Sequence, residues 1–290
     1  METIPFMGFT DPVSSISHLV TSFLFFIASF FLIYRGRGNS GRVIGLLIYC
    51  FCLILLFSMS GVYHLLSKGS TARHVLHVLD YVAIFTLIAG TITPIHLILF
   101  RGIHRWLVLT VVWSLAITGI SLTSVFFTSI PEWIILSFFL GLGWFGLGTV
   151  WGIYKVHNRK LMGNLIIGGL FYTLGAVAEY NRWPLIIDKV LGPHEIFHFF
   201  VILGAFFHWK LVYKIAKYPI SSAITIIVTE YPENKFYAKA TSENKYFTGK
   251  SKEEVKKNVL NWVESKFHKD MKPHMINFKY RQEDTIYLSK

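Results

Sequence analysis

The chain has 290 residues, of which 53% are apolar and only 15% are charged, and its formal net charge is +12. Two soluble domains would fit in this length, but the apolar residues come in long blocks rather than at the spacing of a soluble core. The positive charge lies mainly in the loops between the blocks and in the tail, so we interpret it as a sign of membrane topology rather than of nucleic-acid binding.

Seven apolar blocks of about 17 to 24 residues each meet the roughly 20 helical residues that a hydrocarbon core of ~30 Å requires. The first block is too long for a signal-peptide core and has no basic leader, so we expect it to remain as a membrane span. The predicted spans are Val13–Tyr34, Val43–Leu66, Val78–Phe100, Trp106–Thr128, Trp133–Tyr154, Asn164–Tyr180 and His194–Tyr213.

Basic residues are distributed unequally between the two sets of loops. One set carries Arg35, Arg37, Arg42, Arg101, Arg105, Lys155, Arg159, Lys160, Lys210, Lys214 and Lys217. The other carries only Lys68, Arg73, Arg182 and Lys189, against Glu2, Asp11, Glu132 and Asp188. The positive-inside rule then predicts a multi-pass protein of the cell membrane with an external N-terminus and a cytoplasmic C-terminal tail.

Two glycine-rich stretches lie within the predicted spans, Gly141–Gly148 (GLGWFGLG) and Ile167–Ala176 (IGGLFYTLGA). In lipid, small residues let helices approach each other closely. We therefore interpret both stretches as packing positions rather than as phosphate-binding loops.

After Tyr218 the composition becomes polar, which predicts a membrane domain over residues 1–218 and a soluble α+β domain over residues 219–290. Two segments rich in β-branched and aromatic residues, Ala223–Tyr231 and Lys235–Thr241, flank the turn PEN and predict a hairpin. Ser251–Phe267 has a capping serine, early acids and one apolar face, which predicts a helix. Ile276–Ser289 predicts one or two further strands. The predicted fold is thus a seven-transmembrane all-α bundle with a small α+β tail.

Polar residues of the spans predict a buried site near the N-terminal face. His194 and His198 are four residues apart, so they lie on one side of a helix about 6 Å apart along its axis, and Ser60 and His64 share that spacing. The second span ends near His64, the third begins near Asp80 and the seventh begins at His194. Three spans therefore bring these residues to one depth, where intramembrane ionisable groups need partners.

Three neutral histidines with an open fourth position are typical of a catalytic zinc site, whose coordinated water has a pKa near 7. We predict Zn²⁺ bound by His64, His194 and His198, with Asp80 as the base that holds the water and Ser60 as a hydrogen-bonding or orienting group. The alternatives are a structural His64 hydrogen-bonded in the core, and an Asp80 that caps the third span or pairs with Arg73.

Other polar residues allow competing assignments. HEIFH (His194–His198) matches the zincin pattern, in which the glutamate is the base, but no later span supplies an acidic third ligand, so we expect Glu195 to face the membrane boundary or a neighbouring helix. His18 and His77 lie at the same face and compete as ligands. His208 lies about 21 Å further along its helix and is expected to be a hydrogen-bonded interior histidine. Glu179 either pairs with Arg182 or lines the cavity.

Four motifs resemble the bacterial hemolysin III branch of the family that includes the progestin and adipoQ receptors. They are SISH (Ser15–His18), FSMSGVYH (Phe57–His64), HVLDYVAIFTLIAGTITP (His77–Pro94) and GPHEIFHFFVILGAFFH (Gly192–His208). The similarity covers about residues 10–215 and leaves out the tail. It implies seven helices around a zinc ion held at His64, His194 and His198, with Asp80 and Ser60 around the zinc-bound water.

The resemblance also implies functions. Adiponectin receptors have a similar site and are linked to ceramide hydrolysis, and the family is grouped with alkaline ceramidases in a proposed hydrolase superfamily. We therefore expect a zinc-dependent lipid amide or ester hydrolase whose partners are membrane lipids such as ceramide or phospholipid, and no nucleic acid. Adiponectin receptors place the zinc face in the cytosol, opposite to the orientation that the loop charges predict here.

Two other functions remain open at this point. One is a non-catalytic receptor or sensor with a structural zinc ion, read out through the tail. The other is a lytic or pore-forming protein, as the hemolysin name implies, although apart from the site residues the spans carry no ring of charges that would line a pore.

Overall fold

The computed structural model describes residues 3–100, 102–156, 159–218, 223–231, 235–241, 245–266, 273 and 275–282. The chain divides into two compact units. The first comprises Met1–Gly36 with Gly41–Ala216, and the second comprises Arg37–Ser40 with Lys217–Lys290.

The first unit is helical. Its helices are α1 (Pro12–Gly36), α2 (Ser40–Leu65), α3 (Thr71–Leu99), α4 (Gly102–Phe126), α5 (Glu132–Trp144), α6 (Gly146–Val156), α7 (Arg159–Tyr180) and α8 (Pro193–Ile215). Within the described residues, seven segments are long and apolar enough to cross a membrane, with α5 and α6 forming one of them. The predicted seven-helix membrane fold with a small α+β tail is confirmed.

Helix α3 begins seven residues before the predicted start of its span. Ser70 caps the helix, because its hydroxyl accepts a hydrogen bond from the backbone N–H of Arg73 at 3.2 Å. Asp80 therefore lies about 13 Å along the helix axis from Thr71, at 1.5 Å per residue. This position rules out Asp80 as the cap of the third span.

The fifth span is interrupted at Phe145, within the glycine-rich stretch Gly141–Gly148. A Cβ added to Gly141, Gly143 or Gly148 would meet nothing within 4 Å, so these three glycines are not sites of close helix packing. The packing interpretation of this stretch is wrong for them. The interruption instead places Gly143 and Gly146 on the wall of a cavity inside the bundle.

Close packing does occur at the second glycine-rich stretch, where α7 meets α8. A Cβ built on Gly168 would collide with the His208 ring and would lie 3.0 Å from the carbonyl oxygen of Gly204. The ring has little freedom to move away, because its Nε2 is hydrogen-bonded to the Leu165 carbonyl at 3.2 Å.

Gly168→Ala is therefore expected to destabilise the bundle by about 1–3 kcal/mol, the usual range for overpacking a filled interior. Thermal unfolding in detergent measures this loss. Gly169→Ala is the matched control, because a Cβ there meets nothing within 4 Å. Equal melting temperatures for the two variants would contradict the assigned packing.

The second unit is a four-stranded sheet with one helix. Its elements are β1 (Ala223–Tyr231), β2 (Lys235–Ala240), β3 (Lys245–Gly249), α9 (Lys252–Lys266) and β4 (Met275–Gln282). The strand order is β3-β2-β1-β4, with β1 parallel to β4 and antiparallel to β2. Alternate strand residues such as Ile226 and Ala238 pack against Val255 and Val259 of α9.

The hairpin, the helix and the strand starting near Ile276 are present, and β3 was not predicted. Its sequence, KYFTG, is short and offers only one buried residue, Phe247. The predicted PEN turn at 232–234 and the predicted strand residues 283–289 lie outside the described residues.

Candidate metal centre

Three histidine side chains meet at one end of the bundle. His64 comes from the last turn of α2, and His194 and His198 from the first two turns of α8. Nε2 of His194 lies 3.2 Å from Nε2 of His64 and 3.1 Å from Nε2 of His198. One ligand atom of each residue lies within 4.8 Å of the others. The predicted convergence of these helices is therefore present in the structure.

The spacing of the ring nitrogens suits a small metal ion. Zinc–nitrogen bonds of 2.0–2.1 Å in tetrahedral geometry place two ligand nitrogens about 3.3 Å apart, close to the two separations found here. His64 and His198 are buried and His194 is half-buried. This group of three imidazoles could hold a metal ion. Zinc is a suitable ion, because neutral histidine nitrogens are among its usual ligands.

Asp11, just ahead of α1, orients the His64 ring. Its Oδ2 lies 3.1 Å from Nδ1 of His64 and also pairs with the guanidinium of Arg73. Burial opposes ionisation of this carboxyl, but hydrogen bonds from His64, Thr3 and Arg73 outweigh it and hold the pKa of Asp11 well below its usual value. An ionised Asp11 can only accept, so His64 donates through Nδ1 and turns its Nε2 lone pair toward the other histidines.

Glu179, near the end of α7, plays the same part for His194. Its Oε1 lies 3.4 Å from Nδ1 of His194 and pairs with Arg182, which also contacts Glu132 at 3.2 Å. Carboxylates that accept from the outer nitrogen of a ligand histidine fix its tautomer and raise its basicity. Two Nε2 lone pairs facing each other at 3.2 Å repel unless a metal ion or a proton lies between them. The residues present therefore fit a bound metal.

Glu179→Gln is expected to weaken zinc binding about 10- to 100-fold, the usual loss when the outer partner of a ligand histidine is removed. Competition with a chelator of known affinity measures the change. Glu132→Gln is the matched control, because Glu132 contacts Arg182 but no histidine of the cluster. Unchanged affinity in Glu179→Gln would contradict the orienting role.

A cavity of about 260 Å³ extends from the histidine cluster into the bundle. His194 and His198 line one end of this cavity. His208 lines it deeper in the bundle, about 21 Å from His194 along the axis of α8. The wall between is mostly apolar, with side chains such as Ile88 and Leu140. The cluster is therefore connected to a long apolar space rather than enclosed by packing.

Asp80 and Ser60 both line this cavity, and the Ser60 side chain lies beside the Asp80 carboxyl. Arg73 pairs with Asp11 rather than with Asp80. The structure therefore places both predicted site residues at the wall of the cavity that contains the histidines.

The remaining polar residues of the prediction are also placed. Glu195 is buried and accepts from the Gly192 backbone N–H at 2.9 Å and from the Ser14 hydroxyl at 3.2 Å, so it caps α8 and faces a neighbouring helix. His208 is a hydrogen-bonded interior histidine. His18 stacks on His198 with ring centroids 3.9 Å apart, and His77 stacks on Tyr63. Both line the cavity but lie outside the group of three histidines that could hold a metal ion.

Sequence reasoning missed the role of Asp11, which entered only as a loop charge. The available signal was its place seven residues before His18, at the start of a span on the site face. Glu179 both pairs with Arg182 and lines the cavity, as the two predicted alternatives had it, but its further partner His194 lies on a different helix. Pairing either carboxylate with its histidine requires the arrangement of the helices.

The membrane unit is similar to known proteins. The family model described as "Haemolysin-III related" matches residues 6–209. "Hemolysin-3 homolog" of Bacillus subtilis (strain 168) is 31% identical over 196 residues, covering 66% of this chain and 87% of that protein. "Hemolysin-3" of Bacillus cereus is 28% identical over 194 residues, covering 66% of this chain and 85% of that protein. The chain is thus a multi-pass membrane protein that belongs to the hemolysin III branch of the progestin and adipoQ receptor family.

Proposed function

We propose that this protein is a zinc-dependent hydrolase acting on a lipid amide or ester within the membrane. The observation that carries the proposal is the junction of the histidine cluster with a long apolar cavity whose wall also bears Asp80. Ligand pockets are typically apolar spaces with a few convergent polar groups. The acyl chain of a lipid substrate would fit such an apolar cavity.

His64, His194 and His198 would hold the metal, with Asp11 and Glu179 fixing two of the rings. The chemistry that a zinc ion held there would supply is Lewis-acid activation of water and of a carbonyl near neutral pH. Asp80 would accept the proton that water releases, which is the work of a general base. The Ser60 hydroxyl beside it would hold that water by a hydrogen bond.

The membrane orientation is part of the proposal. The distribution of basic residues among the loops favours a site at the external face and a tail in the cytoplasm. Membrane lipids such as ceramide or phospholipid then reach the cavity from the bilayer. A cysteine-accessibility assay in intact cells, with labels at Ser67 and Ser265, tests the orientation. Labelling of Ser265→Cys but not of Ser67→Cys by an impermeant reagent would reverse it.

The activity is tested by incubating the purified protein in detergent micelles with ceramide and, separately, with phospholipid, and by measuring released fatty acid by mass spectrometry. We expect release that stops on chelation and returns when zinc is added. A protein that binds zinc but cleaves neither lipid class, with its folding dependent on the metal, would instead fit a receptor with a structural zinc ion.

A further inference from the structure

The sheet of the C-terminal unit has one face that is not covered by α9. Because strand side chains alternate between faces, the residues that face away from the helix are the odd-numbered ones of β1, β2 and β4 and the even-numbered ones of β3. This open face carries three tyrosines and four cations, all exposed: Tyr231, Tyr237, Tyr246, Lys235, Lys239, Lys279 and Arg281.

The strand register gathers most of these groups into two adjacent rows, and Tyr231 and Lys235 form the next row. Lys239 pairs with Ile227, which pairs on its other side with Lys279, and Arg281 lies opposite Thr229. Neighbouring strands are about 4.8 Å apart, so Lys239, Lys279 and Arg281 lie within a patch roughly 10 Å across. Lys239 also lies over the Tyr246 ring, 5.2 Å from its centroid.

Acidic side chains do not balance this charge on the described part of the open face. The acid of β1, Glu230, belongs to the helix-covered side, where it pairs with Lys252 at 3.4 Å. Positive charge and amphipathic aromatic rings therefore share one surface, which complements an anionic partner.

The chain connection limits the distance that the C-terminal unit can move away from the bilayer. Helix α8 ends at Ile215 and β1 begins at Ala223, so the connecting residues span at most about 25 Å at 3.3–3.6 Å per residue. A tethered module meets its nearest target at a high effective concentration, and here that target is the surface of the membrane crossed by α8.

We propose that the open sheet face, defined by Tyr231, Lys235, Tyr237, Lys239, Tyr246, Lys279 and Arg281, docks on anionic phospholipid headgroups of that membrane. The cations pair with headgroup phosphates, and tyrosine rings sit at the level of the headgroups, where aromatic residues are enriched. Single-stranded nucleic acid also binds to cations and stacked aromatic rings, but the short tether favours the lipid surface. The proposal does not depend on the hydrolase activity.

The experiment uses the full chain in lipid nanodiscs. Cys50 and Cys52 are replaced by alanine, and Thr248→Cys carries a polarity-sensitive fluorophore, because Thr248 lies on the open face beside Tyr237. We expect a blue-shifted emission in discs containing anionic phosphatidylglycerol, compared with discs of phosphatidylcholine alone, and its loss in high salt. The same label on Ser265→Cys, an exposed residue of α9, is expected to stay unshifted.

Charge-reversal variants test whether docking depends on the cations of the open face or only on the net charge of the C-terminal unit. Lys239→Glu with Lys279→Glu is expected to reduce the ratio of docked to undocked tail about twentyfold or more, since each basic residue near an anionic surface contributes about a fivefold preference. Lys256→Glu with Lys257→Glu on α9 makes the same change in net charge and is expected to have little effect. Equal emission in both disc types would overturn the proposal. So would a shift that appears in neutral discs only after a single-stranded oligonucleotide is added, which would assign the face to nucleic acid.

Discussion

Purified wild-type protein is expected to contain about one zinc ion per chain, and His198→Ala is expected to contain almost none. His198 contributes a buried Nε2 that lies 3.1 Å from that of His194, and a three-histidine site that loses one ligand keeps too few for stable zinc binding. Metal content is measured by inductively coupled plasma mass spectrometry on protein that elutes as a single species in detergent.

His208→Ala is the matched control for this measurement. It removes the same side chain from the same helix, but His208 is hydrogen-bonded to the Leu165 carbonyl and lies outside the cluster. His18→Ala tests the nearest competitor, whose ring stacks on His198. Zinc retained in His198→Ala and lost in His18→Ala would show that the ligand set is wrong. Wild-type protein without zinc would make the cluster a polar packing group.

Asp80→Asn is expected to reduce lipid hydrolysis about 10²- to 10⁴-fold, the usual contribution of a general base, while zinc stays bound. Asparagine keeps the size of the side chain but cannot accept a proton at neutral pH. The measurement pairs fatty-acid release with metal content on the same sample, since only the combination separates a base from a group that helps to hold the metal.

Glu132→Gln is the control for Asp80→Asn, because Glu132 also lines the cavity but is exposed and pairs with Arg182. Hydrolysis that persists in Asp80→Asn would remove Asp80 from the mechanism. Loss of zinc in Asp80→Asn would reassign Asp80 to metal binding. Equal losses of activity in both variants would indicate a general effect of charge in the cavity.

Much of the site could be predicted because helical geometry translates spacing into position. Residues four apart share a helix face, so His194 and His198 could be placed together from sequence alone. The length of each span and the alternation of direction placed His64 at the same end of the bundle. The carboxylate partners could not be predicted, because neither Asp11 nor Glu179 lies on the same helix as the histidine that it orients, and helical spacing relates only residues of one helix.

The glycines near the interruption of the fifth span also show that contacts between helices cannot be predicted from spacing along one helix. Gly141–Gly148 lies in an apolar block, and from sequence its glycines suggested tight packing, yet three of them face open space. Gly168, in a similar block, packs against His208 and Gly204. Whether a glycine admits a neighbouring helix or borders a cavity depends on what lies opposite it, which spacing along one helix does not specify.

The sequence by itself determined the class of the protein, the number of spans and the three histidines, because hydrocarbon thickness and helical periodicity act on each segment separately. Only the tertiary structure decided which carboxylate holds which histidine, that Asp80 and Ser60 share one apolar cavity with His194 and His198, and that cations of two strands of the tail share an open sheet face. Each of these depends on distances between separate helices or strands, and those distances are set by packing and strand register.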